Sequence, residues 1–123
     1  MALAEFGVED LDLAVEGAVT GTYRNSGQVC CGIERIYVEK SLYKSFLEKA
    51  VERAKALKVG NGLDPDVDMG PMNREEQITI VERHLKDAQS KGAKILTGGK
   101  RIEGSWGGEC QPDKDIPMYV KYF

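Results

Sequence analysis

At 123 residues the chain has room for one domain or part of a larger one, because domains most often run on the order of 100–150 residues. That length excludes a complete dinucleotide-binding domain standing beside a separate substrate domain. Charged side chains make up 30% of the sequence, 17 basic against 20 acidic, so there is no basic stripe of the kind that nucleic-acid binding requires.

In chain order, the first periodic segment follows Asp10. Leu11, Ala14, Val15, Ala18 and Val19 recur at helical spacing, Asp10 can cap the first turn, and the helix should end near Tyr23. An Asn25-Ser26-Gly27 turn then leads to Cys30 and Cys31. Arg35-Ile-Tyr-Val38 has the β-branched and aromatic character of a strand, which puts the thiols at a helix-to-strand corner. A thiol in a polar, glycine-punctuated turn is placed for nucleophilic chemistry rather than for packing.

Ser41 can cap a second helix with the stripe Leu42, Phe46, Ala50, Ala54 and Leu57, its other face carrying Glu48, Lys49, Glu52, Arg53 and Lys55. Gly60-Asn-Gly62, Asp64-Pro65 and Gly70-Pro71 then mark a long loop. Because Gly60-Asn-Gly62 follows a helix and lacks a Gly-Lys-Ser/Thr ending, it reads as a connection rather than a phosphate loop. Asn73-Arg-Glu-Glu76 has the form of a capping box, and Ile78, Val81, Leu85 and Ala88 give a third helix its buried face. Gly92 should stop that helix, and Ala93-Lys-Ile-Leu96 should form a short strand running into a Gly98-Gly99 turn.

The resulting order of helix, strand, helix, helix, strand favours an α/β layer. From Trp106 onward no periodicity persists, so residues 106–123 are expected to form an irregular tail on a domain spanning 1–105. Three cysteines, two of them adjacent, make neither a disulfide framework nor a metal-ligand spacing, and reduced thiols are expected. The single histidine, His84, fits a helix boundary position and is assigned no role. No stretch approaches the ~18 apolar residues of a membrane span, and the N-terminus lacks the features of a signal peptide. A soluble protein is expected, cytoplasmic with a mitochondrial location left open.

The run Asn25-Ser-Gly-Gln-Val-Cys30 resembles the cysteine active-site signature of the aldehyde dehydrogenase superfamily. Glu9-Asp-Leu-Asp-Leu-Ala-Val15 is similar to the acidic segment that opens the family's helix before that site, and Arg35-Ile-Tyr-Val38 looks like the strand after it. Leu57-Lys-Val-Gly60, Gly70-Pro71, Gly92-Ala93 and Gly98-Gly99 resemble further landmarks in the same order. The resemblance implies part of a three-layer catalytic domain, with Cys30 as nucleophile. In such enzymes the thiolate attacks an aldehyde to give a thiohemiacetal, which passes hydride to NAD or NADP and leaves a thioester that water hydrolyses to the acid. It further implies that backbone N–H groups of the turn, including that of Cys30, hold the oxyanion. Asn25 and Gln28 are expected to shape the turn, Cys31 to be a small buried hydrophobe beside the pocket, and Glu34 and Arg35 to serve structure.

Several family features have no counterpart in this sequence. The general base lies in a Glu-Leu-Gly-Gly-Lys stretch, and its role is not transferred to Glu5. A Glu-x-Phe-Gly-Pro segment and the cofactor domain are also missing, so the expectation is a chain inactive alone. Arg24 stands where the family commonly has an aromatic or apolar side chain. It could attract anionic substrates and lower the cysteine's pKa, or point to water, and the second is favoured.

The implied partners are a small-molecule aldehyde and either a second copy of the chain or a full-length subunit, with no nucleic acid and no membrane. Two other readings compete with the enzyme fragment. One is a non-enzymatic interaction module using the stripes of the second and third helices. The other is a thiol switch at Cys30-Cys31, which is disfavoured because a bridge between adjacent cysteines is strained.

Overall fold

The computed structural model describes residues 10–100 together with two short strands outside that span. The elements are β1 (Ala2–Ala4), α1 (Leu11–Tyr23), β2 (Ile33–Ile36), α2 (Tyr43–Lys55), α3 (Glu75–Ser90), β3 (Lys94–Ile95) and β4 (Tyr119–Val120). They fall into two compact units, Met1–Ala56 and Leu57–Phe123. No helix among the described residues is long and apolar enough to cross a membrane.

In the first unit β1 and β2 pair in parallel, with Ala2 opposite Ile33 and Leu3 and Ala4 opposite Arg35 and Ile36 across a register shift. Helix α1 starts where the sequence placed it, because the Asp10 carboxylate accepts from the Leu13 N–H at 2.9 Å and satisfies an otherwise orphaned donor. Ala14, Val15, Ala18, Val19 and Tyr23 form its buried face. Helix α2 packs against α1 and buries Phe46 and Ala50, while Leu42 and Ala54 are half-buried. Two ion pairs bridge the helices on their solvent side, Asp12 with Lys49 and Glu16 with Arg53. Gly21 lets α1 approach β2, since a Cβ there would collide with Ile33 Cδ1 and lie 2.9 Å from its Cγ1.

Two expectations for this unit need correction. Strand β2 occupies Ile33–Ile36 rather than residues 35–38, and Tyr37 beyond it is 65% exposed. Propensity favoured the aromatic segment, but pairing with β1 set the register. Ser41 does not cap α2. Its hydroxyl donates to the Glu39 carboxylate at 2.6 Å, and the helix starts after Leu42 without a side-chain cap.

In the second unit, Val59 and Met69 form a parallel bridge that closes the loop before α3. Helix α3 buries Ile78 and Leu85, with Val81 and Ala88 half-buried along the same stripe. Its N-cap is Arg74 rather than Asn73, with no side-chain cap bond, so the expected capping box is displaced. The C-terminus matches expectation. Gly92, at φ +87°, donates to Gln89 O and Ala93 donates to Ala88 O, which together make a Schellman motif that only a left-handed residue allows. Strand β3 follows and pairs antiparallel with β4, so Tyr119–Val120 in the expected irregular tail form a strand. The rest of that tail lies outside the described residues.

Candidate functional site

Helix α1 ends on Tyr23, and Arg24 leaves the helix with φ −50° and ψ 129° while its N–H still bonds Thr20 O. The chain then turns through three consecutive residues with positive φ: Asn25 at 52°, Ser26 at 57° and Gly27 at 74°. Asn and Gly tolerate this region, whereas Ser pays for it sterically. Ser26 is nonetheless only 2% exposed, so the surrounding structure holds it there.

Side chains fasten the turn. The Gln28 N–H donates to Asn25 O at 3.0 Å, and the Gln28 side-chain Nε2 donates to the same oxygen at 3.1 Å. In return, Asn25 Nδ2 donates to Gln28 O at 3.2 Å. A second turn follows at once, closed by the Gly32 N–H on Val29 O at 3.1 Å. A Cβ on Gly32 would stand 3.2 Å from that carbonyl, which makes glycine the fitting residue. Cys30 therefore sits within the second turn, which follows the first directly and leads into β2.

Both Cys30 and Cys31 are free thiols and exposed. The exposure of Cys31 corrects its expected burial: both cysteines lie in the bend of the second turn, between Val29 and Gly32, and neither side chain is covered. Arg24 is exposed, in keeping with the favoured reading that it points to water. Glu34 and His84 are exposed as well, and Glu5 lies outside the described residues. Among the described residues the Cys30 N–H makes no hydrogen bond, which leaves a backbone donor beside the thiol for a developing oxyanion. Two features of this corner escaped sequence reasoning: the burial of Ser26 and the close approach of Gly21 to Ile33. The glycine inside a helix pattern was the available signal for the second.

The described residues do not form a dinucleotide cradle. Gly60-Asn61-Gly62 follows α2, and its glycines serve the loop itself: Gly60 N–H bonds Met69 O at 3.0 Å, and a Cβ on Gly70 would meet Gly62 Cα at 3.8 Å. The N-terminus of α1, a candidate for phosphate, is taken by the Asp10 carboxylate. Among the described residues no group of three or more His, Cys, Asp or Glu could hold a metal ion.

Comparison with known proteins gives a consistent result. The sequence profile described as the aldehyde dehydrogenase family matches residues 6–112, extending into the expected tail. The chain is 47% identical over 97 residues to a glutarate-semialdehyde dehydrogenase of Pseudomonas putida, which covers 79% of this chain and 20% of that protein. It is 41% identical over 114 residues to an NADP-dependent succinate-semialdehyde dehydrogenase of Escherichia coli, which covers 91% of this chain and 23% of that one. Among solved structures, 3,6-anhydro-L-galactose dehydrogenase superposes on the whole chain with a TM-score of 0.85 at 30% identity, over 25% of its own length. The chain thus spans about a fifth of the length of the curated relatives it matches.

Proposed function

The chain belongs to the aldehyde dehydrogenase family, and from that premise we propose that it supplies the nucleophilic cysteine for NAD(P)-dependent oxidation of an aldehyde to a carboxylic acid. The reading is carried by one observation, the exposed Cys30 thiol on a turn tied down on both sides. Cys30 Sγ, as thiolate, adds to the aldehyde carbon, and the carbonyl oxygen takes the electron pair as an alkoxide. The Cys30 backbone N–H is available to that oxygen. The family's cofactor, NAD or NADP, would accept hydride from this adduct. The described residues do not fit it, so no step of this chain's chemistry is routed through it and the chain is expected to be inactive alone.

For substrate class we propose short aldehydes with a distal carboxylate. The two relatives named for semialdehydes of dicarboxylic acids support this.

Alkylation with iodoacetamide, followed site by site by mass spectrometry, tests the proposal. Cys30 and Cys31 are both exposed, so accessibility alone predicts equal labelling. The expected result is faster labelling of Cys30, slowed by succinate semialdehyde and less so by an uncharged aldehyde of similar length. Equal rates at Cys30, Cys31 and Cys110 would overturn it.

A further inference from the structure

We propose that Asn25 and Gln28 are positioning residues for Cys30, acting as one reciprocal amide clamp; the inference rests on Cys30 being the nucleophile. Each side chain donates to the other residue's carbonyl, Asn25 Nδ2 to Gln28 O at 3.2 Å and Gln28 Nε2 to Asn25 O at 3.1 Å. The backbone bond from Gln28 N–H to Asn25 O runs between them at 3.0 Å. Three bonds across so short a bend are more than a turn needs, since a single main-chain bond closes an ordinary one.

The surplus has a physical reason. Left-handed φ at both Asn25 and Ser26 is unfavourable for L-residues, and an unclamped bend would relax toward ordinary turn geometry. Relaxation would swing the segment that begins at Gln28, and with it the thiol and the N–H of Cys30. Clamping by amide groups holds that segment while adding no charge beside the thiol. Both residues are exposed, so these two amide bonds are not needed to satisfy a buried core.

The test uses the full chain and compares labelling of Cys30 with that of Cys31, an equally exposed thiol next to it in the same turn. The variants are Asn25→Gly, which accepts the left-handed φ and removes one amide, and Gln28→Glu, which keeps the size and loses the donor at neutral pH. Each is expected to lower the Cys30-to-Cys31 rate ratio by about two- to tenfold, the kinetic equivalent of one hydrogen bond. The double variant should be little worse than either, because the two amides act as a unit.

A purely structural role would not produce the second expected result. With Gln28→Glu, labelling by dithiodipyridine, which reacts at acid pH, should recover the wild-type ratio below about pH 4.3, where the introduced carboxyl is protonated and donates again. Circular dichroism identifies a variant that fails to fold, in which case the other carries the test. A wild-type preference for Cys30 that survives in both variants would overturn the clamp and leave the nucleophile standing. Equal rates in the wild type would overturn both.

Discussion

In the bend between α1 and β2, amide side chains donate across the turn to a left-handed backbone, whereas in the loop between α2 and α3 side-chain oxygens of one amide and two carboxylates accept from backbone N–H groups. Asn61 Oδ1 accepts from the Leu63 N–H at 3.1 Å, Asp64 Oδ1 from Asp66 at 3.0 Å, and Asp68 Oδ2 from Lys58 at 2.8 Å. In that loop Leu63 is 92% exposed, and none of the non-glycine residues has positive φ. The first bend buries Ser26 at positive φ and presents two thiols; the second presents carboxylates and no nucleophile. Both are rich in Asn and Gly. What separates them is that the first joins a helix to a strand packed against it, with Gly21 of α1 close against Ile33 of β2.

That contrast can be broken from the supporting helices. Phe46→Ala should cost about 3–5 kcal/mol, read as a shift in denaturant midpoint, because it opens a cavity in the first unit where α2 packs on α1. An unchanged midpoint would mean that α2 does not brace the corner. Gly21→Val should cost about 1–3 kcal/mol by overpacking against Ile33, whereas Gly62→Ala, with nothing within 4 Å of its added Cβ, should change stability by no more than about 1 kcal/mol in either direction. Comparable losses at the two glycines would erase the distinction between the bends.

Smaller effects sharpen the comparison within each bend. Asn25→Val places a β-branched residue at φ 52° and should destabilise by about 1–3 kcal/mol, with Asn25→Gly recovering most of that loss in thermal melts. Asp68→Ala removes the acceptor of the Lys58 N–H in an exposed loop and should cost about 0.5–1.5 kcal/mol. The smallest effect concerns Glu16, whose carboxyl is held below its ordinary value of 4.5, first by its hydrogen bond from Arg53 and then by Thr20. A depressed folded-state pKa contributes stability above the unfolded value, and that stability is lost as pH falls through the folded value. Glu16→Gln should therefore flatten the melting temperature slightly below about pH 4.5, an effect that added salt should shrink.

The helices were legible because their apolar residues repeat at the helical period and their ends carry local signals. Asp10 and Gly92 act within a turn of where they stand, so no distant contact was needed to read them. The strand was less legible: Tyr37 and Val38 have the right propensity, but they lie beyond the point where β2 leaves β1. Ser41 and Asn73 also failed as caps: the Ser41 hydroxyl goes to the Glu39 carboxylate, and the N-cap of α3 is Arg74, one residue past Asn73.

The sequence by itself determined the family, the order of the helices, the turn after α1 and the place of Cys30 within it, because each depends on residues close together in the chain. Tertiary structure decided the register of β2, the burial of Ser26 at a left-handed φ, the fit of Gly21 against Ile33 and the exposure of Cys31. Those depend on which surfaces meet across distant parts of the chain. A local pattern constrains such encounters without fixing them.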